Sequence, residues 1–147
     1  MRNVVQMMKL LKIEHTPIIV EKLEKDLWKL SHPIVIRLFI EEAGIIRLKI
    51  NPGFIFNFRS GSRFLNASIP KIDDFAVVWL YHDFGYNYHG LSRATWDDLM
   101  YQGLKLKGLS TWKSWIAYRG VRWGGEEPWY DIDERNKALC SLTWDDK

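Results

Sequence analysis

Residues 73–86 read Asp73-Asp74-Phe75-Ala76-Val77-Val78-Trp79-Leu80-Tyr81-His82-Asp83-Phe84-Gly85-Tyr86. Two aspartates stand where a helix N-terminus favours acceptors and negative charge. The run from Phe75 to Tyr81 has no polar break, the mark of a helix buried on most of its surface. His82 and Asp83 follow, then Tyr86. Residues four apart share a helix face, so His82 and Tyr86 lie one above the other. A titratable pair on a buried helix costs free energy unless it is hydrogen-bonded or metal-bound. The pattern predicts a central helix from Asp74 to Tyr86, with Val78, Leu80 and Tyr81 in the core and a polar cluster at its end.

Upstream the chain reads as strands. Ile18 to Val20 is a short β-branched run after Pro17. Ile34 to Ile40 and Ile45 to Ile50 are joined by Glu41-Glu42-Ala43-Gly44, the pattern of an antiparallel hairpin. In the second strand Ile46, Leu48 and Ile50 alternate with Arg47 and Lys49, giving one dry and one wet face. Asn51-Pro52-Gly53 signals a turn, and Phe54 to Phe58 reads as a third strand. Val4 to Ile13 fits both periods and leans to strand.

Downstream the chain reads as helices. Ser92 is a candidate N-cap for a helix from Arg93 to Leu106, which Gly108 stops. Ser110 can cap Thr111 to Trp123, on which Trp112, Ile116 and Trp123 fit one apolar stripe, with Arg119 and Arg122 near its end. The tail from Glu126 to Lys147 is acidic and Trp-bearing, with no clear period. Strands first and helices afterwards is the segregated α+β pattern. The expected fold is a small antiparallel sheet from the N-terminal half, packed against three C-terminal helices in a single domain, 1–147.

Composition narrows the function classes. Hydrophobic residues are 47% of the chain, too many for a disordered one. The net charge is +3 and the charges are spread, so no nucleic-acid-binding tract is indicated. Eight Trp are many for 147 residues. The plain expectation puts most of them in the core, while an exposed remainder would suit a binding surface. The lone cysteine, Cys140, allows no internal disulfide and no thiolate cluster. The N-terminus has too short an apolar stretch for a secretory signal, and no run reaches the ~18 residues of a membrane span. The expected product is soluble and made in the cytoplasm.

Five short segments, in order, resemble the phage-associated domain-of-unknown-function family 1353. They are Pro52-Gly53-Phe54; Ala67-Ser68-Ile69-Pro70; Leu80-Tyr81-His82-Asp83-Phe84-Gly85-Tyr86, with one residue inserted before the His; Ser92-Arg93-Ala94-Thr95-Trp96-Asp97; and Val121-Arg122-Trp123-Gly124. The resemblance covers about residues 20–125. The chain departs from the family pattern at Asn66, where an acidic residue is expected, and in an insertion from Arg59 to Leu65. The resemblance implies a bacteriophage origin, a location in the virion or the host cytoplasm, and a site around these segments.

The candidate cluster is His82, Asp83 and Asp97, with Asn66, Ser68, Ser92 and Arg93 around it. As a satisfied polar network it would fix the core, with Asp83 paired to Arg93 or Arg119 and Tyr86 closing the network. As a site, His plus two carboxylates suits a divalent metal such as zinc, whose bound water can hydrolyse an ester or amide. The His-Asp-x-x-Tyr spacing also resembles that of secreted phospholipases, but the disulfides and Gly-rich calcium loop of those enzymes are missing. A Ser68-His82-Asp83 triad would be strained, because neighbouring helical residues diverge by about 100°. His15, His32 and His89 read as surface residues. Two functions are expected from this. The first is a virion or tail-associated accessory protein that binds other phage structural proteins through Trp129, Tyr130 and Trp144, with an oligomer as one form it can take. The alternative is a small metal-dependent or His-Asp hydrolase of the phage lysis or entry apparatus, with His82, Asp83 and Asp97 catalytic.

Overall fold

A computed structural model describes residues 8–24, 27–57 and 75–145. The expected hairpin is present, with β4 (Ile34–Ile40) antiparallel to β5 (Gly44–Ile50). Its register sets Ile34 against Ile50, Ile36 against Leu48 and Leu38 against Ile46, and all six side chains are fully buried. Period-2 alternation puts these residues on one face and Arg37 and Arg47 on the other. The reversal needs left-handed backbone at Glu42 (φ 63°) and at Gly44 (φ 107°). The like charges of Arg37 and Arg47 face each other across the wet side. Glu14, on β1 (Leu10–His15), pairs with Arg37 from the other flank.

The main sheet has the order β1-β4-β5-β7, all antiparallel. Its last strand, β7 (Cys140–Asp145), comes from the tail. The expectation of a tail without periodicity is corrected here. Cys140, Leu142 and Trp144 alternate with Ser141, Thr143 and Asp145 and stand opposite Ile50, Leu48 and Ile46. A second sheet joins β2 (Val20–Glu24), β3 (Leu27–Leu30) and β6 (Ile55–Asn57). Gly53 turns the chain between the sheets at φ 106°, and its N–H donates to Leu30 O. Phe54 then buries itself completely and its carbonyl accepts from Leu30 N–H.

Three longer helices follow: α1 (Ala76–Tyr88), α2 (Arg93–Leu106) and α3 (Thr111–Gly124). Two short ones, α4 (Glu126–Tyr130) and α5 (Glu134–Ala138), lead into β7. Ser92 and Ser110 cap α2 and α3 through their hydroxyls, as expected. Asp73 and Asp74 lie outside the described residues. The first helix is the core of the molecule, with every residue from Ala76 to His82 buried. It meets α2 at very short range. A Cβ on Gly85 would run into the Trp96 indole, and one on Gly103 would run into Tyr81 Oη. Glycine at both points is what lets the two helices close.

Two side-chain amides tie the helical layer to strand edges. Gln102 of α2 donates to Met8 O and accepts from Leu10 N–H. Asn136 of α5 donates to Ile55 O and accepts from Ile55 N–H. Each amide does for an edge strand what one residue of a neighbouring strand would do.

The face of α3 is a second correction. Its buried residues are Ser114, Ala117, Gly120 and Val121, whereas Trp112 is 63% and Trp123 87% exposed. Small side chains let α3 approach α2 closely, and indoles would hold the helices apart. Packing distance therefore outweighs hydrophobicity in choosing which face turns inward. No helix among the described residues is long and apolar enough to cross a membrane.

Candidate functional site

The three longer helices converge on one carboxylate. Asp97 sits in the second turn of α2, fully buried. Its Oδ1 lies 2.7 Å from His82 Nε2 and accepts the Tyr86 hydroxyl at 2.8 Å. Its Oδ2 accepts Arg122 Nη1 at 2.8 Å, and Arg93 Nη1 stands 3.7 Å away. His82 and Tyr86 come from one face of α1, their rings 4.5 Å apart. Arg93 precedes Asp97 by one turn of α2, and Arg122 closes the last turn of α3. Arg93 is itself anchored to the carbonyl of Val121, 3.1 Å away.

Electrostatics fix the protonation pattern. Burial alone raises the Asp97 carboxyl, but the hydrogen bonds from His82, Tyr86 and Arg122 outweigh it and hold the group below its ordinary value. Burial, and then the Asp97 charge, push the Tyr86 hydroxyl far up, so it serves as a donor. An ionised carboxylate only accepts, so the imidazole nitrogen facing it carries hydrogen. Nδ1 is the His82 ring nitrogen that Asp97 does not engage.

The structure brings together His82, Asp97 and Arg93 from the candidate cluster. Asp83 is half-buried one position along α1, and its carbonyl accepts from Asn87. Arg93 stands at Asp97 rather than pairing with Asp83, and the closest guanidinium partner of Asp97 is Arg122. The Arg119 guanidinium lies over the Trp115 ring, 4.9 Å away, outside the cluster. Ser92 is spent as a cap and bonds Thr95. Asn66, Ser68 and the insertion from Arg59 to Leu65 lie outside the described residues.

The expected metal set of His82, Asp83 and Asp97 does not assemble as a ligand cage. His82 Nε2 and both Asp97 oxygens are committed to each other, to Tyr86 and to Arg122. Among the described residues no group of three or more His, Cys, Asp or Glu is placed to hold a metal. Cys140 offers no nucleophile, since burial pushes its thiol up to about 12.

The tail candidates divide. Trp129, expected at a binding surface, packs inward. Its ring stacks on His89 with centroids 3.5 Å apart and meets Tyr86 edge-on. His89 is correspondingly half-buried rather than on the surface, with Nε2 3.0 Å from Trp129 O. Tyr130 and Trp144 remain exposed, at 74% and 45%. Sequence reading missed Arg122 as the counter-charge, although it stands within the Val121-Arg122-Trp123-Gly124 segment. It also missed Gly125, where a Cβ would lie 2.5 Å from Tyr86 Oη and 3.0 Å from Arg93 Nη1.

Three of the five motif segments thus meet at Asp97. The family model described as "Protein of unknown function (DUF1353)" matches residues 28–121, which takes in His82, Tyr86, Arg93 and Asp97 and stops one residue before Arg122. No curated protein and no solved structure matches the chain significantly. The match spans well over half of the sequence, and the chain belongs to the DUF1353 family of proteins of unknown function.

Proposed function

We propose that this chain is a small hydrolase of the phage lysis or entry apparatus, with His82 as its general base. One observation carries the reading: a buried, ionised Asp97 grips the imidazole through Nε2 and leaves Nδ1 to move the proton. In the reaction water adds to a carbonyl carbon while Nδ1 takes its proton. The carbon–oxygen or carbon–nitrogen bond then breaks, and the same proton passes to the leaving group. Asp97 orients the ring and balances the imidazolium that forms. Tyr86 and Arg122 hold Asp97 itself in place. They are positioning residues, and Asp83 has no step in this scheme.

The test is turnover of simple carboxylic esters and peptidoglycan fragments by the wild-type chain and by His82→Asn. Loss of a general base lowers rates by roughly 10²–10⁴. A folded His82→Asn protein of unchanged activity, or a wild-type chain inert on every ester and amide tried, would overturn the proposal.

A second reading has its own support. Tyr130 and Trp144 stay exposed on a tail whose Trp129, Leu139 and Leu142 pack against the core, as anchors for another phage structural protein would be. A virion or tail-associated component should appear in mass spectra of purified particles. A lysis enzyme should be absent from them, and an entry enzyme, present in them, is told apart by the turnover that His82→Asn removes.

A further inference from the structure

The outward face of α3 is unlike the rest of the surface. Trp112, Trp115, Arg119 and Trp123 recur at intervals of three and four, which places them within an arc of about 80°. Trp112, Trp115 and Trp123 are 63%, 47% and 87% exposed. Each isolated indole would be ordinary on a protein surface, but three on one helical stripe are not. The chain is also strongly polarised in charge here. Between Asp98 and Glu126 it holds Lys105, Lys107, Lys113, Arg119 and Arg122 and no acidic residue. Arg122 is paired with Asp97, so the cations this stretch leaves for the surface are Lys105, Lys107, Lys113 and Arg119.

We infer that this face docks on an anionic lipid surface. Indoles at the water–hydrocarbon boundary bury an apolar ring and keep one donor wet, and cations beside them meet the headgroups. The two requirements occur together on this helix. Arg119 is held across the Trp115 ring, so charge and aromatic are presented as a unit. Glu126 and Glu127 open α4 just past Trp123, so the docking end is the N-terminal two-thirds of α3. A protein partner would equally use tryptophan. The lack of any carboxylate over this whole stretch favours a surface that is uniformly negative. The inference stands apart from the proposed hydrolysis and can hold where that fails.

Co-sedimentation of the full chain with vesicles tests it. Vesicles of phosphatidylcholine with a large share of phosphatidylglycerol should bring the protein down at low salt, and pure phosphatidylcholine should not. Each basic residue near an anionic surface strengthens binding about fivefold, so Lys113→Gln with Arg119→Gln should weaken it about 25-fold. Trp112→Ser with Trp115→Ser should weaken it at least as much. These side chains are largely outside the core, so both variants should melt like the wild type, and the charge variant carries the test if the Trp variant does not fold. Arg122 is left intact because it holds Asp97. No sedimentation with the anionic vesicles overturns the inference. So does equal, salt-insensitive binding to phosphatidylcholine. Self-association abolished by the Trp variant without any vesicle binding would assign the face to a second copy instead.

Discussion

Asp97 takes His82 on one carboxylate oxygen and Arg122 on the other, with 2.7 and 2.8 Å contacts, in a site with no solvent exposure at the carboxylate. The charge is thus stabilised by partners from two other helices. Removing it leaves Arg93 and Arg122 facing each other without the anion between them. Breaking a buried ion pair from one side costs about 3–5 kcal/mol. Asp97→Asn should lose stability on that order in urea titration. Arg122 is one-third exposed, so Arg122→Met should cost about 1 kcal/mol or less. Equal losses for the two variants would mean that the charge on Asp97 is not what the helices are built around.

The same carboxylate sets an acid limit. In the unfolded chain it takes its proton near its ordinary value of 3.8, and in the folded chain at a lower pH. Between those values the unfolded state binds more protons, so this contribution is present above the window and lost as pH falls through it. Asp98, next in sequence, is shifted upward by burial and contributes with the opposite sign. Comparison with Asp97→Asn isolates the Asp97 contribution. The stability difference between wild type and variant should shrink as pH falls below about 4. A difference that does not change down to about pH 2 would place the Asp97 proton elsewhere.

Helix contact at Gly85 gives a sharper steric test. The Trp96 indole fills the space a Cβ would need, and it is itself fully buried and pinned through Nε1 to the His89 carbonyl, 2.8 Å away. The ring cannot swing aside without losing that bond. Gly85→Ala should therefore destabilise at the upper end of the about 1–3 kcal/mol usual for overpacking. The variant should also move His82 away from Asp97, because both contacts join α1 to α2. A Gly85→Ala protein as stable as wild type would show that the two helices have room to separate.

How far the sequence alone led differs from element to element. The strand from Ile34 to Ile40 and the helix from Arg93 to Leu106 have the expected bounds, because a β-rich run between Pro33 and a Gly-containing loop, and a serine cap with a glycine stop, are local signals. The meeting of His82 with Asp97 was legible only as a resemblance, since 15 residues and a change of helix separate them. Arg122 was harder still. A basic residue near a helix end is usually solvated, and nothing local distinguishes it from Arg119. On α3, hydrophobicity pointed to Trp112 and Trp123 as the inner face. The decisive quantity was side-chain size at Ser114, Ala117 and Gly120, which a hydropathy pattern does not weigh. The tail's strand is short and carries Asp145 and two hydroxyl residues. Its place was set by a partner almost a hundred residues earlier.

That partner makes β7 the last test. Leu142 stands opposite Leu48, and Cys140 opposite Ile50, so β7 covers the edge of β5 and extends the dry face of the sheet. Removing residues 140–147 would uncover a row of β5 backbone donors and acceptors beside a fully buried Leu48. Such an edge recruits other chains. The truncated protein should aggregate on expression, or melt without a cooperative transition. Leu142→Asp should behave similarly, since it sets a charge against the apolar face. Trp144→Ser is the contrast: the ring is 45% exposed at the strand's end, and its loss should leave folding intact. A soluble, cooperatively melting chain ending at Leu139 would show that β1, β4 and β5 form a sufficient sheet by themselves and that β7 is an accessory strand.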